Sequence, residues 1–223
     1  MASAKGRLLD MFGRWALQEG RITAVEALGE RFVHLTVQAD PGARYSPGDK
    51  IQILLPDMAV RTFTPVGWDG GRTELLAFRH SAETPAGRWL AEVSAGDTLR
   101  FLGPQRSLTL PDGPATLIGD ETALAVAAAY RRARPGQITP VFEIDPAVDA
   151  GPALRRMGLD DARVVPRGAK TSPELLAAVA SGAPVGLAGG GPMVQRIRDE
   201  LRAQGRGPFK LKTYWLPGRA GLD

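Results

Sequence analysis

The hydrophobic pattern of the chain changes its period once, near residues 110–114, and this switch constrains the fold more than any other feature. Before it, apolar residues alternate or cluster in short runs at 21–28, 32–37, 50–55, 73–78 and 98–102, the signature of strands. Pro41-Gly42, Pro47-Gly48, Gly70-Gly71, Gly96-Asp97 and Gly103-Pro104 punctuate them. Short strands so spaced, with one helix near 86–93, predict a small antiparallel Greek-key β-barrel. After the switch, strands at 115–118, 137–144, 163–165, 184–188 and 209–215 alternate with helices at 122–132, 152–157, 173–180 and 193–204. Such alternation predicts an α/β domain, a parallel sheet wound on both faces. Pro111, Gly113 and Pro114 mark the boundary, so the expected domains are 1–112 and 113–223. Ahead of the barrel, Leu8, Leu9, Phe12, Trp15 and Ala16 fall at helical spacing and are expected to pack on it.

Composition narrows the chemistry. The 223 residues include no cysteine and two histidines, His34 and His80. A disulfide framework, a thiolate nucleophile, a cysteine-held cluster and a zinc ribbon are excluded. A histidine-rich metal site is not expected either, so hard chemistry would fall to a bound cofactor. No apolar run approaches the roughly 20 residues that span a bilayer. No long apolar core follows Lys5 and Arg7, as a secretory signal requires. Neither membrane insertion nor secretion is expected, and the location expected is cytoplasmic. The net charge is +4, modest for a nucleic-acid binder. Residues 1–112 carry 13 charges of each sign, so the whole excess falls on the second half. It suits an anionic small ligand as well as it suits a solvated surface.

Four segments could carry a ligand. In Arg61-Thr62-Phe63-Thr64, alternation puts Arg61 and Phe63 on one face. A guanidinium fork, a ring and a hydroxyl together suit a flavin nucleotide, though they also suit an ordinary strand end. From His80 a loop leads to a helix start, with Thr84 as cap, Pro85 in first position, and small Ala86 and Gly87 after it. Such a start attracts phosphate; it also reads as a plain capped helix. Gly119-Asp120-Glu121-Thr122-Ala123 occupies the turn where a Rossmann-like sheet holds pyrophosphate, without the GxGxxG pattern. Asp120 and Glu121 would repel phosphate there unless they turn away and cap. Gly189-Gly190-Gly191 would let a nicotinamide ring or ribose come close, or would form a flexible turn.

In this order, and with Gly103-Pro104 and Tyr214-Trp215, the segments resemble the siderophore-interacting protein family. Its members are flavin-dependent ferric-siderophore reductases of the ferredoxin–NADP reductase superfamily. The resemblance runs from about residue 20 to 218, and 119–124 is its most specific part. It implies FAD on the barrel and NADPH or NADH on the second domain. Arg61 would bind the FAD pyrophosphate, Phe63 would pack on the flavin and Thr64 would meet its N5 edge. The His80 loop belongs to the same side, and the helix start at Thr84, Ala86 and Gly87 would hold the pyrophosphate. Gly119, Asp120, Glu121, Thr122 and Ala123, with Gly189, Gly190 and Gly191, would line the nicotinamide site. Trp215 would lie near the flavin face, and Arg167 and Lys170 could contact a cofactor phosphate.

The implied reaction passes a hydride to flavin and then single electrons to a ferric siderophore, releasing Fe(II). It needs no catalytic side chain and no protein-held metal. A reductase serving a protein acceptor, with a ferredoxin-like protein as electron partner, is the alternative. A non-catalytic flavin- or siderophore-binding module is another. The chain departs from the family at Phe63 (usually Tyr), at Pro65-Val66-Gly67 (usually basic) and at Gly87 (usually a small hydroxyl residue). The family's usual acidic residue near Gly190 is replaced by glycine, and Leu216-Pro217-Gly218-Arg219 replace a basic tail. These departures leave FAD against FMN, and the acceptor, open.

Overall fold

In the computed structural model residues 17–179 and 182–218 are described; the helical spacing at 8–16 lies outside them. The first half is an antiparallel sheet of seven strands: β1 (Gln18–Leu28), β2 (Phe32–Gln38), β3 (Lys50–Leu54), β4 (Val60–Phe63), β5 (Pro65–Asp69), β6 (Arg72–Phe78) and β7 (Thr98–Gln105). Their order is β4-β3-β7-β1-β2-β6-β5. Helix α1 (Pro85–Glu92) lies between β6 and β7.

All five expected strands are present, and β4 and β5 are added. Pro65 does not end a strand. It opens β5 and pairs with Leu75, since proline is tolerated as the first residue of a terminal strand. Neither short strand shows an alternating burial pattern, so periodicity could not reveal them. Thr64 is the single residue between the two.

The second half is a parallel sheet of five strands: β8 (Ala115–Gly119), β9 (Ile138–Ile144), β10 (Arg163–Pro166), β11 (Val185–Gly190) and β12 (Phe209–Trp215). The order is β10-β9-β8-β11-β12. A 3-10 turn (Glu121–Ala123) leads into α2 (Leu124–Ala133); α3 (Gly151–Arg156), α4 (Pro173–Ala177) and α5 (Gly191–Ala203) complete the alternation. The chain winds one way from β8 to β10 and the other way through β11 and β12. The switch point therefore lies between the carboxyl ends of β8 and β11, where such sheets take their ligands.

Two cores stay within the halves, one around Leu35, Ile53 and Phe101 and one around Ile118, Leu187 and Ile197. A third crosses the boundary, joining Leu28, Phe32, Val66 and Leu76 of the barrel to Leu124, Ala127 and Tyr130 of α2. The linker is clamped as well. The buried Tyr130 hydroxyl donates to Leu108 O (2.7 Å) and accepts from Leu110 N–H (2.9 Å). Gly48, at φ +85°, leaves room for this clamp, because a Cβ there would lie 2.0 Å from Leu108 O.

Beside this core runs a charged seam. Buried His34 contacts Glu74 through Nε2 (3.0 Å). Glu74 also pairs with Arg132 (3.1 Å), and Arg156 reaches Glu26 (3.0 Å) and Glu74 (3.5 Å). Burial lowers the His34 pKa, and the Arg156 charge lowers it further. With the folded pKa below 6.5, the unfolded chain binds the proton more readily between the two values. Stability from this residue is therefore complete above pH 6.5 and is lost as pH falls through that window. The slope is at most about 1.4 kcal/mol per pH unit for one proton. Denaturant midpoints between pH 7 and 5 are expected to fall less steeply in His34→Gln than in the wild type. Equal slopes would remove His34 as the cause.

Candidate functional site

The barrel contributes one corner of the site. On β4, Arg61 and Phe63 pair with Ile53 and Ile51 of β3 and share a face, as alternation requires. The Arg61 guanidinium donates to Val60 O (2.7 Å) and makes no ion pair among the described residues. Phe63 meets Trp89 of α1 edge-on, with centroids 5.9 Å apart. Thr64, 7% exposed, places its Oγ 3.4 Å from the Tyr214 hydroxyl of β12.

The start of α1 is capped as its sequence predicts. Thr84 Oγ accepts from Gly87 N–H (3.0 Å) and donates to Ser81 O (2.9 Å). No acid stands in the first turn. Arg31 braces the preceding loop by donating to Arg79 O and His80 O. The His80 ring lies edge-on to both Phe78 (4.9 Å) and Trp215 (5.8 Å). Burial lowers its pKa; the Asp120 charge opposes this and Arg31 and Arg167 add to it. The ring is mostly neutral at pH 7.

The second corner lies at the switch point. Asp120 is 1% exposed and accepts four hydrogen bonds. Its Oδ1 takes the N–H (2.9 Å) and hydroxyl of Thr122. Its Oδ2 takes Gly190 N–H (2.8 Å) and Trp215 Nε1–H (3.0 Å). One carboxylate thus caps the turn after β8 and ties together the ends of β8, β11 and β12. Glu121, 3% exposed, accepts from Asp145 N–H (2.7 Å) and pairs with Arg167. Both acids turn inward: Asp120 caps the turn, and Glu121 is held by Asp145 and Arg167.

The glycine run is filled from within. Gly189 has φ +138°, and a Cβ there would lie 2.7 Å from the Asp120 carboxylate. At Gly190 it would lie 2.6 Å from the Trp215 ring, and at Gly191 2.3 Å from the Leu216 side chain. Gly119 similarly yields to Ala123. Arg167 is taken up by Glu121. Lys170 is exposed and makes no ion pair among the described residues.

Sequence reasoning missed a polar cluster on the next strand. Glu143 of β9 is fully buried and pairs with Arg196 of α5 (2.6 Å), which also donates to Thr171. Burial raises the Glu143 pKa against the Arg196 charge. The signal was an acid within an otherwise apolar run. Tyr214 was visible as part of Tyr214-Trp215, but nothing in sequence placed its hydroxyl near Thr64. A cleft of about 460 Å³ on the domain seam is lined by Gly67, Trp68, Asp69, Arg72, Glu74 and Arg132 and includes none of the expected site residues. No group of three or more His, Asp or Glu among the described residues could hold a metal ion. No helix among them is long and apolar enough to cross a membrane.

A barrel followed by a doubly wound sheet, with the switch point facing the barrel, is the architecture of ferredoxin reductases and their relatives. Three solved structures share it over nearly the whole chain. A siderophore utilization protein from T. fusca is 22% identical, with a TM-score of 0.73, covering 93% of this chain and 95% of its own. The siderophore-interacting protein from Acinetobacter baumannii is 16% identical, with a TM-score of 0.73 and 92% coverage of both chains. The ferredoxin reductase in carbazole 1,9a-dioxygenase is 19% identical, with a TM-score of 0.73, covering 90% of this chain and 68% of its own. No family model and no curated protein matches the sequence.

Proposed function

We propose that the chain is a flavin-dependent oxidoreductase that passes electrons from NADPH or NADH through FAD to a ferric siderophore. The observation that carries this reading is the convergence of the two corners. Thr64 of the barrel meets Tyr214, and His80 meets Trp215, so a ligand on either corner would face the other. We assign the flavin to residues 1–112 and the nicotinamide nucleotide to 113–223, and the location to the cytoplasm, where that nucleotide is held.

The residues present fit a flavin nucleotide. Arg61 offers a guanidinium without a carboxylate partner among the described residues, suited to bidentate phosphate binding. Phe63 and Trp89 offer an aromatic wall, and the α1 start a ready phosphate position. When bound, a flavin supplies a centre that accepts two electrons together and gives them singly. The chain's own part is to bind, orient and shield it. Thr84, Ala86 and Gly87 belong to the flavin side; Gly119, Thr122, Ala123 and Gly189–Gly191 shape the nucleotide side. Asp120 and Glu121 shape that side from beneath. Solved structures with siderophore names are among those of similar fold, which supports a ferric chelate as acceptor. Leu216-Pro217-Gly218-Arg219 bring a single cation where the resembled family continues with basic residues, which favours the second reading, a protein acceptor of ferredoxin type.

The protein mixed with FAD is expected to show a flavin spectrum that NADPH or NADH bleaches without oxygen. Ferric siderophore and oxidised ferredoxin, added separately, then decide the acceptor by which one restores the colour. Arg61→Ala is expected to weaken FAD binding tenfold to about a hundredfold, the loss of a charged hydrogen-bond pair. A chain that binds no flavin sinks this function.

A further inference from the structure

We propose that Tyr214 is a positioning residue for the Thr64 hydroxyl, so that the surroundings of the flavin N5 edge are completed by the nucleotide-binding domain. This rests on the flavin reading above. Thr64 lies between two strands of the barrel, nearly buried, and its Oγ faces the Tyr214 hydroxyl from 150 positions away in the chain. The phenol is fixed by its neighbours. Gly189 and Gly190 of β11 pair with Thr213 and Trp215 of β12, and Asp120 holds the Trp215 indole at 3.0 Å.

Burial pushes the Tyr214 phenol up to about 12, so it keeps its proton at neutral pH. A phenol and a hydroxyl each have one hydrogen to give and lone pairs to receive one, and either member of this pair can donate. Thr64 can therefore donate to an N5 that lacks hydrogen while accepting from Tyr214. It can equally accept from an N5 that carries hydrogen while donating to Tyr214. Tyr214 supplies the complementary half of each arrangement, so the Thr64 hydroxyl is paired both as donor and as acceptor in either redox state. A phenylalanine fills the same space and supplies neither half.

The test uses the full chain reconstituted with FAD, as wild type, Tyr214→Phe, Thr64→Val and the double variant. The readouts are FAD affinity, the unfolding midpoint without flavin, and the ratio of reduced to oxidised flavin against a reference dye. Without Tyr214 the reduced state leaves the Thr64 hydrogen without an acceptor, whereas the oxidised state only leaves a lone pair unfilled, so Tyr214→Phe is expected to shift the ratio about tenfold toward oxidised flavin, one hydrogen bond's worth, with little change in the flavin-free midpoint. In the Thr64→Val background the same substitution should add nothing, the mark of a pair acting as one. Thr64→Ser should restore the ratio that Thr64→Val loses; this arm stands even if Tyr214→Phe fails to fold. An unchanged ratio in Tyr214→Phe, an equal effect in both backgrounds, or failure of Thr64→Ser to restore the ratio overturns the inference alone. A wild type that binds no FAD overturns the flavin reading, and this inference with it.

Discussion

Asp120→Ala is expected to destabilise the protein by about 4 kcal/mol, the scale for removing one partner from a buried charged network. The substitution strands four donors at once: the N–H and hydroxyl of Thr122, Gly190 N–H and the Trp215 indole. Water cannot replace the carboxylate cheaply in a site that is 1% exposed. For a chain of this size the loss corresponds to a fall of roughly 8–16 °C in unfolding temperature. Asp120→Asn keeps the shape and one accepting oxygen, but its amide nitrogen would face two donors, so it should fall between wild type and alanine. Trp215 also loses the bond that holds it over Gly190, so the tryptophan emission is expected to shift to the red. A midpoint within about 2 °C of wild type, with unchanged emission, would show that the four bonds do not act together.

The period switch made the two halves legible, because buried parallel strands and half-buried antiparallel strands impose different patterns on a sequence. The nine strands and helices it predicted for the second half are present, save that the 3-10 turn takes the first residues assigned to α2 and that α4, expected over 173–180, ends at Ala177. What escaped was whatever is decided by partners distant in sequence. The pair β4 and β5 have partly exposed or unpatterned faces, and only pairing with β3 and β6 makes them strands. At the site, types were legible and roles were not. Asp120 and Glu121 are acids in the turn after the first strand of the parallel sheet; that they face inward depends on Gly190, Trp215, Asp145 and Arg167, 24 to 95 positions away. Arg167 looked like a free cation after β10, and only Glu121 shows that its charge is already matched. The glycine run was read as space for a ligand. Much of that space is occupied by Asp120, Trp215 and Leu216, which no local pattern announces.

Gly87→Ser is expected to unfold the start of α1 and to weaken FAD binding more than tenfold. The family that the chain resembles carries a small hydroxyl residue here, so the change looks conservative from sequence. The surroundings say otherwise. A Cβ at Gly87 would lie 1.9 Å from Ser81 O, 2.9 Å from Ser81 C and 3.0 Å from Ala82 Cα. All three are backbone atoms, so no rotamer change relieves the clash and the loop itself must lift. Lifting it removes Ser81 O from the Thr84 hydroxyl (2.9 Å), and that hydroxyl is the cap on Gly87 N–H (3.0 Å). Overpacking of about 1–3 kcal/mol and a lost cap of about 1 kcal/mol then add. The denaturant midpoint reads the first effect and flavin fluorescence the second. If Gly87→Ser lowers the midpoint yet binds FAD like the wild type, the α1 start is a structural cap and the phosphates rest on Arg61 alone. If both fall, the loop from His80 to Gly87 is packed this closely because it forms the wall of the flavin site.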